Sequence, residues 1–140
     1  MLVLDTDHLV EYQRGTSAQS RRLKERLDRA TEPYGTTIIT VEEIMRGWMA
    51  AVRRIHDPRG QIRAYARLRQ LFRFFGTWHV LDWNEAAVDA YDSLKRASTR
   101  VGTMDLKIAS IALANNATLL TRNTNDFKRV AGLRIEDWMS

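Results

Sequence analysis

The chain has 140 residues, 44% of them hydrophobic and 28% charged, enough for one compact domain over residues 1–140 and too few for two. No run approaches the roughly 18 apolar residues of a membrane span, Asp5 stands where a signal peptide would continue its apolar stretch, and cysteine is absent, which argues against a membrane protein, a secreted one, a disulfide scaffold or a zinc ribbon and leads us to expect a cytoplasmic protein. Lys and Arg number 22 against 17 Asp and Glu, a net charge of +5, and Arg far outnumbers Lys; the planar guanidinium suits phosphate, so a polyanionic partner is expected.

In chain order, Met1 to Leu4 reads as a buried strand, and Asp5-Thr6-Asp7 as the start of a helix that carries Leu9, Val10 and Tyr12 inward. A second helix enters at Thr16-Ser17, turns Leu23, Leu27 and Ala30 inward and Arg21, Arg22, Arg26 and Arg29 outward, and is closed by Pro33-Tyr34-Gly35. The β-branched run Thr36 to Thr40 reads as the second strand, and a helix follows from Glu42 through Ile44, Trp48, Ala51 and Val52. After the break at Asp57-Pro58-Arg59-Gly60, a fourth helix spans about Gln61 to Phe75, with Tyr65, Leu68, Leu71, Phe72 and Phe75 on one arc and Arg59, Arg63, Arg67, Arg69 and Arg73 on the other. Trp78 to Asp82 alternates like a third strand, and Asn84 caps a helix with Ala87, Val88, Tyr91 and Leu94 on its inner face. Thr103-Met104-Asp105 opens an almost wholly apolar helix through Ala114, Ala117 to Thr121 is the fourth strand, and Arg122 to Asp126 is a polar loop. Phe127 to Val130 reads as a short helix and Leu133-Arg134-Ile135 as a fifth, edge strand. Alternating strands and helices imply an α/β three-layer sandwich around a mostly parallel sheet of four to five strands.

The seven glycines are never closer than twelve positions, so no Gly-rich phosphate loop or nucleophile elbow exists, and His8, His56 and His79 are too scattered for a zinc motif. What remains is acidic. On the edge of such a sheet where strands end and helices begin, Asp5, Asp7, Glu43, Asp105 and Asp126 converge together with Asn123. Carboxylates gathered without His or Cys repel one another unless a cation intervenes, and all-oxygen donors suit Mg²⁺ or Mn²⁺. Local roles compete with this reading. Thr40-Val41-Glu42-Glu43 has the pattern of a capping box, and Asp105 sits where a helix dipole favours an anion. Asp5, directly after three apolar residues, is harder to account for by capping.

Leu4-Asp5-Thr6-Asp7, Ile39 to Gly47, Asp105 to Ala109 and Leu120 to Phe127, together with the ending Gly132 to Trp138, resemble the successive motifs of PIN-domain ribonucleases, in particular the VapC toxins of type II toxin–antitoxin pairs. The resemblance covers nearly the whole chain. It implies a PIN-like fold and a Mg²⁺- or Mn²⁺-dependent endoribonuclease with an RNA substrate, ligands at Asp5 and Asp105 and Glu43 nearby, an antitoxin protein as inhibitor, and a homodimer. Glu43 would orient or deprotonate the water that attacks the phosphodiester, and a second cation is an open alternative. Two positions depart from the family pattern. Asp7 stands where Asn is usual, and the fourth acidic position falls on the uncharged Asn123, leaving Asp126 as the alternative. Thr6, Thr121 and Asn123 are then expected to orient ligands or water.

The Arg-bearing fourth helix is a solvated face, a contact to RNA phosphates through Arg59, Arg63 and Arg67, or a dock for a partner helix. The tryptophans read as core or interface anchors. Against the toxin reading stand a non-catalytic nucleic-acid or partner-binding module on the same fold, and a nuclease acting on DNA or in RNA processing without an antitoxin.

Overall fold

The computed structural model describes all of residues 1–140. Five strands, β1 (Leu2–Leu4), β2 (Tyr34–Thr37), β3 (Val80–Leu81), β4 (Thr118–Leu120) and β5 (Arg134–Glu136), form one sheet in the order β3-β2-β1-β4-β5. Every pairing is parallel. The helices are α1 (Thr6–Arg14), α2 (Ala18–Arg29), α3 (Ile38–Arg54), α4 (Gln61–Thr77), α5 (Glu85–Arg96), α6 (Thr103–Ala114) and α7 (Thr124–Phe127). None is long and apolar enough to cross a membrane.

Because side chains alternate across a strand, each strand feeds two cores. Leu2, Leu4 and Leu120 point to one face, where they pack with Leu9, Leu23, Leu27, Ile44 and Leu71 of α1 to α4. Val3 and Leu119 point to the other, against Leu94, Leu106, Ile108, Ile111 and Phe127 of α5 to α7. Helices therefore cover both faces, which is the three-layer sandwich expected.

Several boundaries differ from the sequence reading, and the third strand, expected over Trp78 to Asp82, is confined to Val80–Leu81. The second strand ends at Thr37, and Ile38 already begins α3. The β-branched residues at 38–40 favour extended backbone, but Thr37 caps the helix, its Oγ1 accepting the Thr40 N–H at 3.1 Å, and as helix the segment buries Ile39 in one core and Ile44 in the other. Tyr34 and Gly35, expected to be a turn, belong to β2. Likewise the short helix expected over Phe127 to Val130 is α7 at Thr124–Phe127, which takes up part of the expected polar loop and ends where the helix was expected to begin.

Position 35 of β2 requires glycine because the backbone leading into β3 runs so close. A Cβ there would collide with the His79 carbonyl oxygen, the same oxygen that accepts the Thr36 N–H at 3.0 Å. Gly35→Ala should therefore cost about 1–3 kcal/mol of stability, read as a lowered thermal midpoint; an unchanged melt would show that the β2–β3 edge yields freely.

On α4 the inward residues are Ala64 and Leu71, while Tyr65 is 55% and Phe72 66% exposed. Those two, expected on the core-facing arc, instead line an open groove of about 660 Å³ with Leu68, Arg69 and Arg73. The tryptophans are half-buried anchors, with Trp78 against Tyr12, Tyr34 and Phe74.

Candidate active site

The sheet order reverses at β1, which has β2 on one side and β4 on the other, and ligands of parallel α/β sheets bind outside the strand carboxyl ends at such a point. A polar cleft of about 160 Å³ lies there, lined by Asp5, Thr6, Asp7, Glu43, Asp105, Ile108, Asn123 and Phe127. Residues from four distant stretches of chain are thus brought together. The groove on α4 is larger but contains no acidic residue, so the chemistry belongs to the smaller cleft.

Asp5 follows β1 and is buried. It caps α1, as a helix-starting Asp5-Thr6-Asp7 cluster allows, with Oδ1 accepting the His8 N–H at 2.9 Å. One oxygen is committed to the helix; Oδ2 takes no hydrogen bond from the protein. Asp7, two residues on, is exposed at the cleft.

Glu43 is not part of a capping box, because Thr37 rather than Thr40 caps α3. Its Oε1 instead accepts the Thr6 hydroxyl at 2.9 Å. The Thr6 oxygen also lies 3.3 Å from Thr40 Oγ1, which is 3.5 Å from Thr37 Oγ1. A hydroxyl has one proton and a carboxylate has none to give, so the donations run from Thr37 to Thr40 to Thr6 to Glu43. Thr6 is the orienting residue expected; Thr37 and Thr40 join it through contacts that no local pattern announces.

Asp105 lies in the first turn of α6, half-buried, with no hydrogen bond or ion pair to another side chain. Burial first, then the charges of Glu43, Asp5, Asp126 and Asp7, push its pKa up to about 6. That is the electrostatic signature of a site short of positive charge. On the far wall, Thr121 Oγ1 accepts the Asn123 N–H at 2.9 Å, and Asn123 Nδ2 donates to Asp126 Oδ2 at 3.0 Å. Asn123 faces the cleft. Asp126 stands behind it, 3.6 Å from Arg129.

No three of these acids are close enough to share one ion as they stand. Mg²⁺ does not need a closed cage: it keeps several waters and binds through one or two carboxylates plus phosphate. An all-oxygen cleft with an uncompensated Asp105 fits that habit.

Of the arginines, Arg59 lies in the turn before α4 and Arg63 is exposed on it. Arg67 is half-buried, its guanidinium 5.8 Å from the Trp48 ring centroid on α3.

A parallel sheet in this order, helices on both faces and acids gathered at the switch point make a PIN-like architecture, and residues 2–133 match the PIN domain family. The chain belongs to that family. Within it, the chain is 35% identical over 69 residues to Ribonuclease VapC2 of Rickettsia felis, covering 46% of this chain and 52% of that one. It is 38% identical over 63 residues to the tRNA(fMet)-specific endonuclease VapC of Shigella flexneri, covering 42% and 48%. These alignments span about half the length of the curated relatives. Among solved structures, VapBC-1 from nontypeable Haemophilus influenzae superposes with a TM-score of 0.73 at 25% identity over 99% of this chain and 98% of that one.

An added carboxylate tests the far wall. Asn123→Asp should tighten Mn²⁺ binding several-fold, on the order of 1 kcal/mol for one more charge near the ion in a partly wet site, while destabilising the metal-free protein through repulsion. Titration of Mn²⁺ and melts in EDTA read both signs. Unchanged binding with unchanged apo stability would move the fourth position to Asp126.

Proposed function

We propose that the chain is a Mg²⁺- or Mn²⁺-dependent endoribonuclease acting in the cytoplasm as the toxin of a toxin–antitoxin pair. The observation that carries this is the cleft itself: Asp5, Glu43 and Asp105 face one another with no cation of the protein paired to Glu43 or Asp105, inside a fold whose similar proteins bear the names ribonuclease and endonuclease. Asp5 and Asp105 would hold the ion, and it would supply neutralisation of the phosphate and acidification of water. Thr6 fixes Glu43 so that its second oxygen orients or deprotonates the attacking water. Asn123, its N–H held by Thr121 Oγ1, shapes the opposite wall.

Purified protein incubated with a tRNA pool should cut it in Mg²⁺, lose activity in EDTA and regain it with Mg²⁺ or Mn²⁺. Cleavage unaffected by EDTA, or its absence at saturating Mg²⁺, would favour the non-catalytic module; cleavage of DNA in preference to RNA would favour the second alternative. An antitoxin partner is supported by similarity to the VapBC-1 structure and by the exposed apolar side chains Ile62, Tyr65 and Phe72 on α4, flanked by Arg69 and Arg73, which suit an acidic amphipathic segment. The expected homodimer is checked by light scattering.

For Arg59, Arg63 and Arg67, replacement of all three by Gln should flatten the log–log salt dependence of RNA binding by roughly two to three units if each contacts a phosphate. Because Arg67 already sits on Trp48, a loss nearer two is expected; an unchanged slope assigns the face to solvent or to a protein.

A further inference from the structure

His8 is fully buried, and neither the sequence motifs nor the proposed chemistry gives its ring a role. The ring lies between the acidic cleft and the last residues of the chain. Its Nε2 accepts the backbone N–H of Trp138 at 3.2 Å. A nitrogen that accepts carries no proton, so the ring proton resides on Nδ1. That buried donor has no partner at full hydrogen-bond geometry, and the carboxylate oxygen within reach is Asp5 Oδ1 at 3.4 Å. The same oxygen takes the His8 backbone N–H. The backbone N–H of His8 thus holds one oxygen of Asp5 while its ring nitrogen stands 3.4 Å from the same oxygen, and Oδ2 is left for the cleft.

The far side of the ring is held firmly. Arg22 donates through Nε and Nη2 to the Met139 carbonyl at 3.2 and 3.0 Å, Met139 is 1% exposed, and the Arg26 guanidinium stacks 4.6 Å from the Trp138 ring centroid. Asp137 accepts the Met139 N–H at 2.9 Å, with Oδ1 standing 3.7 Å from His8 Nε2. The Trp138 N–H is thus fixed in place by a well-anchored segment.

We propose that His8 is a positioning residue for Asp5: the backbone of the 137–139 segment sets its tautomer, and the tautomer aims Nδ1–H at the carboxylate so that Asp5 presents Oδ2 to a cation. This rests on the reading of Asp5 as a cation ligand. Partners that orient a ligating side chain in this way govern metal affinity although they never touch the ion.

Two substitutions separate the ring's two ends. Asn places an amide near the reach of Nδ1, and Gln places one near Nε2, while both remove similar ring packing. With Mn²⁺ alone as the probe, His8→Gln should bind about tenfold more weakly than wild type and His8→Asn within about twofold of it. Equal affinity in wild type, Gln and Asn variants, or equal loss in both variants, overturns the proposal while leaving the metal site intact. Wild type that binds no Mn²⁺ removes the metal-site reading and this inference with it. Should either variant fail to fold, long-range ¹H–¹⁵N correlation on the metal-free wild type decides: a proton on Nδ1 with Nε2 bare supports the assignment. A proton on Nε2, or on both nitrogens in a bridge between Asp5 and Asp137, overturns it.

Discussion

Asp105→Asn should abolish RNA cleavage, lowering the rate by at least about a hundredfold, and should leave a folded protein that is more stable than wild type when no metal is present. The two effects have one cause. Asp105 makes no hydrogen bond or ion pair to another side chain, and burial together with the surrounding carboxylates pushes its pKa to about 6. In the metal-free native state it therefore keeps a proton that the unfolded chain releases near 3.8. Stability from this group is fully present below that lower value and is lost as pH rises through about 6. At pH 7.5 in EDTA the neutral Asn escapes the penalty, and after discounting for a half-exposed, screened site the gain is about 1 kcal/mol. At pH 4 the gain should shrink toward zero. A helix-capping role predicts the opposite sign, since an anion in the first turn of α6 would stabilise the helix by about 0.3–1 kcal/mol. Melts in EDTA at two pH values, beside cleavage assays in saturating Mg²⁺, separate the readings. A variant that cuts at the wild-type rate would remove Asp105 from the site.

The order of strands and helices was legible because each element carries its own period: Leu23 and Leu27 on one turn-to-turn stripe of α2, the unbroken apolar run in α6, the short β-branched or aliphatic strands between. Expected convergence of Asp5, Asp7, Glu43, Asp105 and Asn123 followed from topology, since a parallel sheet sends every strand end to one edge. The boundary between β2 and α3 was not legible. Ile38 and Ile39 prefer strand geometry locally, and only the Thr37 cap and the burial of Ile39 against α6-side neighbours make them helical. Nor did periodicity reveal that α4 turns Tyr65 and Phe72 outward, because an arc of apolar residues does not say how much of itself the core will cover. His8 illustrates the limit most clearly. Its ring partners are its near neighbour Asp5 and a backbone N–H 130 residues away, a contact that exists only after the chain has folded.

Glu43→Gln should reduce the cleavage rate by about two to four orders of magnitude while leaving Mn²⁺ affinity within several-fold of wild type. The amide keeps the shape and the local bond: its oxygen still accepts the Thr6 hydroxyl that now meets Oε1 at 2.9 Å, so the Thr37-Thr40-Thr6 relay and the fold survive. What is lost is the second oxygen, which faces the cleft as an acceptor and becomes an NH₂ donor unable to take a proton from water. If Glu43 were chiefly an ion ligand, affinity and rate would fall together; a rate loss at nearly constant affinity identifies a group that works on the water. The neighbouring Glu42, exposed and paired with Arg46 at 2.7 Å, is the control, and Glu42→Gln should do neither. A third readout is independent of turnover. Glu43 is the largest charge contribution raising Asp105, second only to burial, so in the metal-free Glu43→Gln protein the Asp105 carboxyl should titrate below its wild-type value of about 6. Carboxyl resonances followed through a pH series would show this shift, and an Asp105 that titrates unchanged would mean that the two side chains do not share one cleft.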